Sequence, residues 1–329
     1  MKKVLITGIG GYIGSNLASL LGKSCEVTGI GRATRFAELK KILPMQVRLI
    51  DADIADENKV AHAARGMDAV VHCASLVSDH LCRKNPKEAR RVIVDGSKVV
   101  ATVASHEKAL FIHLSTFAVY SSYRKRPMPL IEESKLLSDN VYGSLKAEAE
   151  KEINLLRINS MKTNNFSPIT LRLAHVYGMG GGLKPQERKV VEVFIEAACQ
   201  GKEILVHGDG QEGLDLIHVG DVTRLINELI QHAPANPLLW NVGSGKKVTV
   251  LELAKLVSEE CIKVYGRAGD VRFISSPREI NSFIYMPTNE KKFSRWLSIA
   301  EALKFAPWLP SISLRKGIRE MLQAGLKHF

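Results

Sequence analysis

Lys3-Val4-Leu5-Ile6-Thr7-Gly8-Ile9-Gly10-Gly11-Tyr12-Ile13-Gly14 is the stretch from which the rest of the chain can be read. Lys3–Thr7 is short and mostly apolar, as a strand covered on both faces must be. Gly8 then permits a tight turn, Gly11 lets backbone come close to a phosphate, and Gly14 lets a helix lie against the strand. From Ser15 to Leu21 the pattern is helical, so free amides and the positive end of the helix dipole face whatever sits on the turn. Strand, glycine turn and helix in this order predict a pyrophosphate-binding site, with Gly8, Gly11, Tyr12, Ile13 and Gly14 contacting a dinucleotide cofactor.

Working outward, short β-branched runs alternate with amphipathic segments. Strands are expected at Lys3–Thr7, Glu26–Gly29, Val47–Asp51, Ala69–Cys73, Leu110–Ser115 and Ile169–Leu173. Helices are expected over 86–106, where Ala89, Val92, Ile93, Gly96, Val99, Val100 and Val103 repeat at helical spacing, and over 140–158. Such alternation gives an α/β fold with a doubly wound parallel sheet, the Rossmann arrangement. Beyond Leu173 the pattern turns irregular, and Gly178 to Gly182 mark a mobile loop. Residues 1–173 are therefore assigned to the dinucleotide-binding domain. Residues 174–329 form a smaller, mixed α/β substrate lobe interleaved with it.

The second strand runs out in Gly29-Ile30-Gly31-Arg32, where NAD-binding versions of this turn carry a carboxylate for the ribose. Gly31 has none and Arg32 adds a guanidinium. That combination suits a 2′-phosphate, so NADP is favoured, with NAD possible. Asp53 and Ile54, after the third strand, are candidates for contact with adenine.

Tyr142 and Lys146 stand at i and i+4, on one face of a helix. A free phenol, with a pKa near ~10, is a poor base at neutral pH. A neighbouring ammonium favours phenolate and should lower that value. The tyrosine could then move a proton to or from an alcohol or ketone oxygen. Ser115 and Thr116 close a strand that begins at Leu110 and offer hydroxyls for the same oxygen.

Composition narrows the classes further. With 45% hydrophobic and 24% charged residues the 329-residue chain is an ordinary globular one. No apolar run is long enough for a bilayer, and the N-terminal run stops at glycines within four residues, so neither a span nor a secretory signal is expected. Five scattered cysteines, an odd number without metal-ligand spacing, fit a reducing, cytoplasmic setting with no structural metal. The net charge of +12 is spread over short clusters such as Arg83-Lys84, Arg90-Arg91 and Lys246-Lys247. No aromatic-interleaved stripe accompanies them, so nucleic acid is not expected as a partner.

Taken together, the chain resembles the extended short-chain dehydrogenase/reductases, especially the NAD-dependent epimerase/dehydratase branch. The resemblance is carried by the Gly8/Gly11/Gly14 turn, His72-Cys73-Ala74-Ser75, Leu114-Ser115-Thr116-Phe117-Ala118-Val119-Tyr120 and Tyr142…Lys146. It continues in Arg172-Leu173-Ala174-His175-Val176-Tyr177-Gly178, Gly208-Asp209-Gly210 and Asn241-Val242-Gly243-Ser244-Gly245. It implies that Thr116 bonds the reacting oxygen, Tyr142 is the acid/base and Lys146 holds the nicotinamide ribose. Cys73, Ala74 and Ser75 would line the cofactor cleft. Ser115, Thr116, His175 and Arg278 would face a substrate, typically a nucleotide-activated sugar, in a homodimer built on the helices at 86–106 and 140–158.

Three departures bear on the reaction. Dehydratases of this branch carry an acidic pair after the threonine, where this chain has Phe117 and Ala118. Leu214 stands where an arginine usually grips the diphosphate, which leaves Arg278, with Lys184 or Arg188 as substitutes. His175 replaces an asparagine. The expected activity is thus oxidation, reduction or epimerisation at a carbinol or keto carbon. Reduction of a less charged ketone, steroid-like or flavonoid-like, is the alternative that Leu214 suits. A non-catalytic dinucleotide sensor would have no use for the Thr116/Tyr142/Lys146 set.

Overall fold

The computed structural model describes residues 1–120, 127–138, 140–160, 166–180, 189–233, 236, 238–274, 294–304 and 308–325. Gly181, Gly182, Lys184, Arg188 and Arg278 lie outside the described residues.

The apolar runs of the first half become β1 (Lys3–Thr7), β2 (Glu26–Gly31), β3 (Arg48–Asp51), β4 (Ala69–His72), β5 (Leu110–Thr116) and β6 (Ile169–Leu173). A seventh strand, β7 (Leu238–Val242), returns from the second half of the chain and pairs with β6. The sheet order is β7-β6-β5-β4-β1-β2-β3 and every pair is parallel. Strand order reverses between β1 and β4, and in open sheets of this kind the crevice beyond the strand C-termini at that reversal takes the ligand.

Helices cover both faces. On one side α1 (Tyr12–Leu21) and a helix at Val219–Gln231 bury Leu17, Ala18, Leu21, Val222, Leu225 and Leu229 against β1 and β5. On the other lie α2 (86–106) and α3 (Val141–Ser160). α2 contains a π-helical turn at Arg91–Asp95, after which Gly96 passes under Ile54; a Cβ there would meet Ile54 Cδ1 at 2.7 Å. α1 starts at Tyr12, three residues before the glycine-turn reading placed it, and α3 runs two residues further than its periodicity predicted.

The second lobe has its own core. Helices Val190–Cys199, Val250–Tyr265 and Leu314–Ala324 pack Phe194, Ile195, Leu253, Val257, Ile318 and Met321 around a parallel strand pair, Ile204–His207 with Val271–Ile274. Because β7 belongs to the main sheet, the chain re-enters the first lobe when, of these elements, only helix Val190–Cys199 and strand Ile204–His207 have been made.

Candidate active site

The turn after β1 is held in the shape its glycines allow. Gly8 has φ +69°, and a Cβ on it would lie 2.6 Å from Ala74 Cα and N, so only glycine fits between the first turn and the strand-end segment Cys73–Ser75. Gly11 N donates to Gly8 O at 2.8 Å, and a Cβ on Gly14 would fall 2.4 Å from Gly8 O. Gly11 caps α1 without any side-chain acceptor, which leaves the first amides of the helix for a ligand. A Cβ on Gly11 would meet only Gly8 O within 4 Å, so its openness serves approach from outside. This cradle fits a dinucleotide pyrophosphate.

β5 delivers Thr116 to the same end of the sheet, buried, with Oγ1 accepting from Ala118 N at 3.2 Å. α3 comes to it through three residues that the sequence reading did not single out. Asp79 Oδ1 accepts from Val141 N (2.7 Å) and Tyr142 N (3.3 Å), and Asn140 Oδ1 accepts from Gly143 N (2.7 Å). These bonds satisfy amides that a helix start leaves free. Gly143 then touches backbone: a Cβ there would lie 2.1 Å from Ala118 O. The close approach sets Tyr142 beside Thr116.

The phenol of Tyr142 faces the hydroxyls of Thr116 and Ser75. Ser75 Oγ is buried and makes no well-aligned hydrogen bond, so its interaction with the phenol is a loose one. Burial pushes the Tyr142 acid well above its ordinary value of 10.0, Cys82 adds to the rise, and the two hydroxyls pull it part of the way back. This differs from the expectation that Lys146 would lower it. The physical reason is that Lys146 Nζ turns to Leu114 O, 2.8 Å away, while burial acts on the phenol. Tyr142 is therefore a proton donor at neutral pH in the chain alone. Lys146 is almost fully buried, and burial lowers it from 10.5 to about 8, against upward pulls from Glu150, Cys73 and Cys82.

Other sequence candidates fall in several places. Tyr12 lies in the cleft, with Oη donating to Gly178 O at 2.9 Å and Lys189 Nζ 4.6 Å from its ring centre. Ile13 packs against the main core. His72 turns away from the cleft, between Thr7 Oγ1 (2.7 Å) and Ser97 Oγ (3.0 Å), and burial holds it neutral, near pKa 3. Arg32 is exposed at the rim; Asp53 there is ion-paired with Arg91 at 2.8 Å, and Ile54 is buried under α2. Arg35 donates to Gly10 O at 2.9 Å. His175 lies with its ring centre 4.4 Å from that of Phe117; burial lowers it to about 4, helped by Lys189 and Arg295. Ser115 points to the sheet face opposite Thr116 and donates to Glu150.

The geometry is that of a cradle for a dinucleotide opening onto a hydroxyl, a phenol and an ammonium. A sequence profile described as "NAD dependent epimerase/dehydratase family" matches residues 4–243. The dTDP-glucose 4,6-dehydratase of Streptomyces niveus is 27% identical over 275 residues, covering 79% of this chain and 77% of that protein. A dTDP-4-dehydro-6-deoxy-D-allose reductase of Streptomyces bikiniensis is 27% identical over 302 residues, covering 82% and 83%. Among solved structures, UDP-glucose 4-epimerase of Thermotoga maritima with UDP-glucose matches at a TM-score of 0.80 and 22% identity, over 98% of this chain and 97% of that one. UDP-glucuronic acid 4-epimerase from Bacillus cereus, in complex with UDP-glucuronic acid and NAD, matches at 0.79 and 20%, over 98% and 99%. At these identities the structural likenesses speak to fold. The profile match takes in every strand of the main sheet, and the chain belongs to the NAD dependent epimerase/dehydratase family, as an enzyme of the extended short-chain dehydrogenase/reductase type.

Proposed function

We propose that the chain is a nicotinamide-dinucleotide-dependent oxidoreductase or epimerase acting on a carbinol or keto carbon of a nucleotide-activated sugar. The observation that carries this reading is the Tyr142 phenol facing Thr116, one helical turn from Lys146, at the end of the sheet where the glycine cradle opens. The bound dinucleotide supplies the hydride acceptor or donor. Thr116 holds the reacting oxygen and Tyr142 gives it, or takes from it, a proton. Lys146 holds the ribose hydroxyls with its ammonium. Phe117 and Ala118 have no proton to give, so elimination of water finds no second acid here. The relatives' names, a sugar-nucleotide dehydratase and a reductase, support the substrate class.

The preference for NADP over NAD rests on Gly31 and on Arg32, whose charge acts on Asp53 and Glu88 at the adenosine end. We place the enzyme in the cytoplasm as a homodimer through α2 and α3, where Leu155 and Ile158 leave apolar surface exposed. Among the described residues no helix is long and apolar enough to cross a membrane. A second reading, reduction of a less charged ketone, is favoured by Leu214, which is buried where a guanidinium would grip a diphosphate.

Thermal-shift and calorimetric titration with NAD, NADP, UDP and dTDP test these points together, since a ligand that binds the folded chain raises its melting temperature. NADP should bind more tightly than NAD; the reverse order removes the role given to Arg32. Stabilisation by neither UDP nor dTDP favours the second reading. Tyr142→Phe should lower turnover by roughly 10²–10⁴-fold while leaving cofactor binding intact. An unchanged rate would take Tyr142 out of the mechanism.

A further inference from the structure

Behind Lys146, on the side away from the cleft, lies a buried charge network. Glu150 follows Lys146 by one turn of α3, and its side chain is 9% exposed. Arg172 of β6, 4% exposed, binds it with Nη2 at 2.7 Å and Nε at 3.1 and 3.2 Å, and Ser115 donates to the same carboxylate. Arg172 Nη1 donates to Tyr120 Oη and to Glu132 O, both at 2.8 Å. Tyr120 Oη donates to Asn241 Oδ1 at 2.7 Å, so the network reaches β7. An ion pair buried this deeply gives little net stability over an apolar pair, so its presence beside the catalytic lysine calls for another reason.

We propose that Glu150 is a positioning residue for Lys146: its carboxylate, fixed by Arg172 and Ser115, holds the lysine side chain charged in a dry site and keeps its head aimed at the strand end. The argument is one of charge balance. Among the described residues Lys146 Nζ has one hydrogen bond, to the Leu114 carbonyl, and no ion pair. Burial works against its charge, and the groups that act on it are few. Glu150 shares its helix, Cys73 and His72 come from β4 and its end, Cys82 from the helix Asp79–Lys84, and His113 from β5. The histidines are buried and neutral, and burial keeps Cys73 protonated, with its thiol pushed up to about 12. Glu150 is the one carboxylate in that set, and it raises Lys146 more than either cysteine does. It acts through space, because its oxygens are spent on Arg172 and Ser115. That arrangement supplies the negative potential without a direct contact that would pull Nζ away from the cleft. Its bearing on catalysis rests on the function proposed above; its effect on the lysine does not.

The test is a pH titration of Lys146 in the chain without cofactor, followed by NMR of ¹³Cε-labelled lysine, with the signal assigned by its loss in Lys146→Arg. In the wild type the midpoint should lie near 8. In Glu150→Gln it should fall by about one unit or more. The double variant Glu150→Gln/Arg172→Met replaces the ion pair by neutral groups, a change that buried pairs often tolerate, and should show a smaller fall of the same sign, since losing the Arg172 cation works the other way. Glu150→Asp, which keeps the charge and the pair, should return most of the way to the wild-type midpoint. A merely structural glutamate would lower the melting temperature in these variants and leave the midpoint where it was. That result, in whichever of the first two variants folds, overturns the proposal. Binding of NADH and NADPH followed over the same pH range separates the two levels. If the midpoints shift as stated but no dinucleotide binds at any pH, the function proposed above fails and the inference stands.

Discussion

Glu150 in the first lobe and Glu260 in the second both lie beside cations, and they do so in opposite ways. In the second lobe Glu260 has no exposed surface, yet its cover is a roof of cation side chains close to solvent: Lys263 at 2.8 Å, Arg319 Nη2 at 2.7 Å and Arg315, each about half exposed. Burial pushes its acid up, but the hydrogen bonds from Lys263, Arg319 and Arg315 outweigh that and hold it at about 2. In the first lobe Glu150 and Arg172 are both interior, and the pair has neighbours rather than a roof. Arg315 and Arg319 staple helix Leu314–Ala324 to Val250–Tyr265, and Lys263 binds the same carboxylate from within the latter. In the interior pair one cation answers one anion, and Glu150 is also the carboxylate that acts on Lys146. The staple holds structure; the interior pair conditions chemistry.

The largest expected effect breaks the comparison most directly. Glu150→Ala leaves the Arg172 guanidinium buried without its carboxylate and should cost ~3–5 kcal/mol. Glu260→Ala lets three half-exposed cations move into water and should cost less. Urea denaturation of both variants measures the two costs, and equal values would erase the distinction drawn between them.

Acid behaviour sharpens it next. His72 is held near pKa 3 by burial, with Lys146 adding to the fall, and His113 lies well below 6.5 for the same causes plus His72. Folded values below the unfolded one mean that their stabilisation is complete above pH ~6.5 and is lost as pH falls beneath it. His113, neither of whose ring nitrogens has a hydrogen-bond partner among the described residues, stacks 5.5 Å from His72. His113→Phe should therefore flatten the loss of melting temperature between pH 6.5 and 4.5; an unaltered slope would assign that loss to other groups.

The smallest effect isolates Glu260. Its folded value is depressed, so its contribution is present above the ordinary 4.5 and fades as pH drops toward about 2. The difference in melting temperature between wild type and Glu260→Gln should be greatest near pH 6 and should narrow between 4.5 and 3. A difference that stays constant with pH would mean that the three cations do not depress this carboxyl.

The parts of the fold that local pattern controls were legible from residues alone. β1 to β6, the glycine cradle and the one-turn spacing of Tyr142 and Lys146 all follow from periodicities of two or 3.6 and from the special needs of glycine. β7 was not, because the run Leu238 to Val242 gains its place only by pairing with β6, far away in sequence. Gly143 could not be weighed either, since what excludes a side chain there is the carbonyl of Ala118 on another element. Ser115 carried a usable signal. Neighbouring strand residues point to opposite faces, so two adjacent hydroxyls, Ser115 and Thr116, would not both meet one substrate oxygen. Asp79 carries no local signal, pairing with Arg83 four residues on, and only the folded chain brings it to the start of α3.

The late return of β7 has a consequence for how the polypeptide matures. As it leaves the ribosome, β6 is complete long before its outer neighbour exists, so one margin of the nascent sheet shows bare amides and carbonyls while some sixty-odd further residues are being made. Such a margin is an invitation to pair with a stranger. A product cut short before Leu238 would carry that invitation permanently, which makes truncated forms of this chain candidates for aggregation and for chaperone capture, however well their first half is folded.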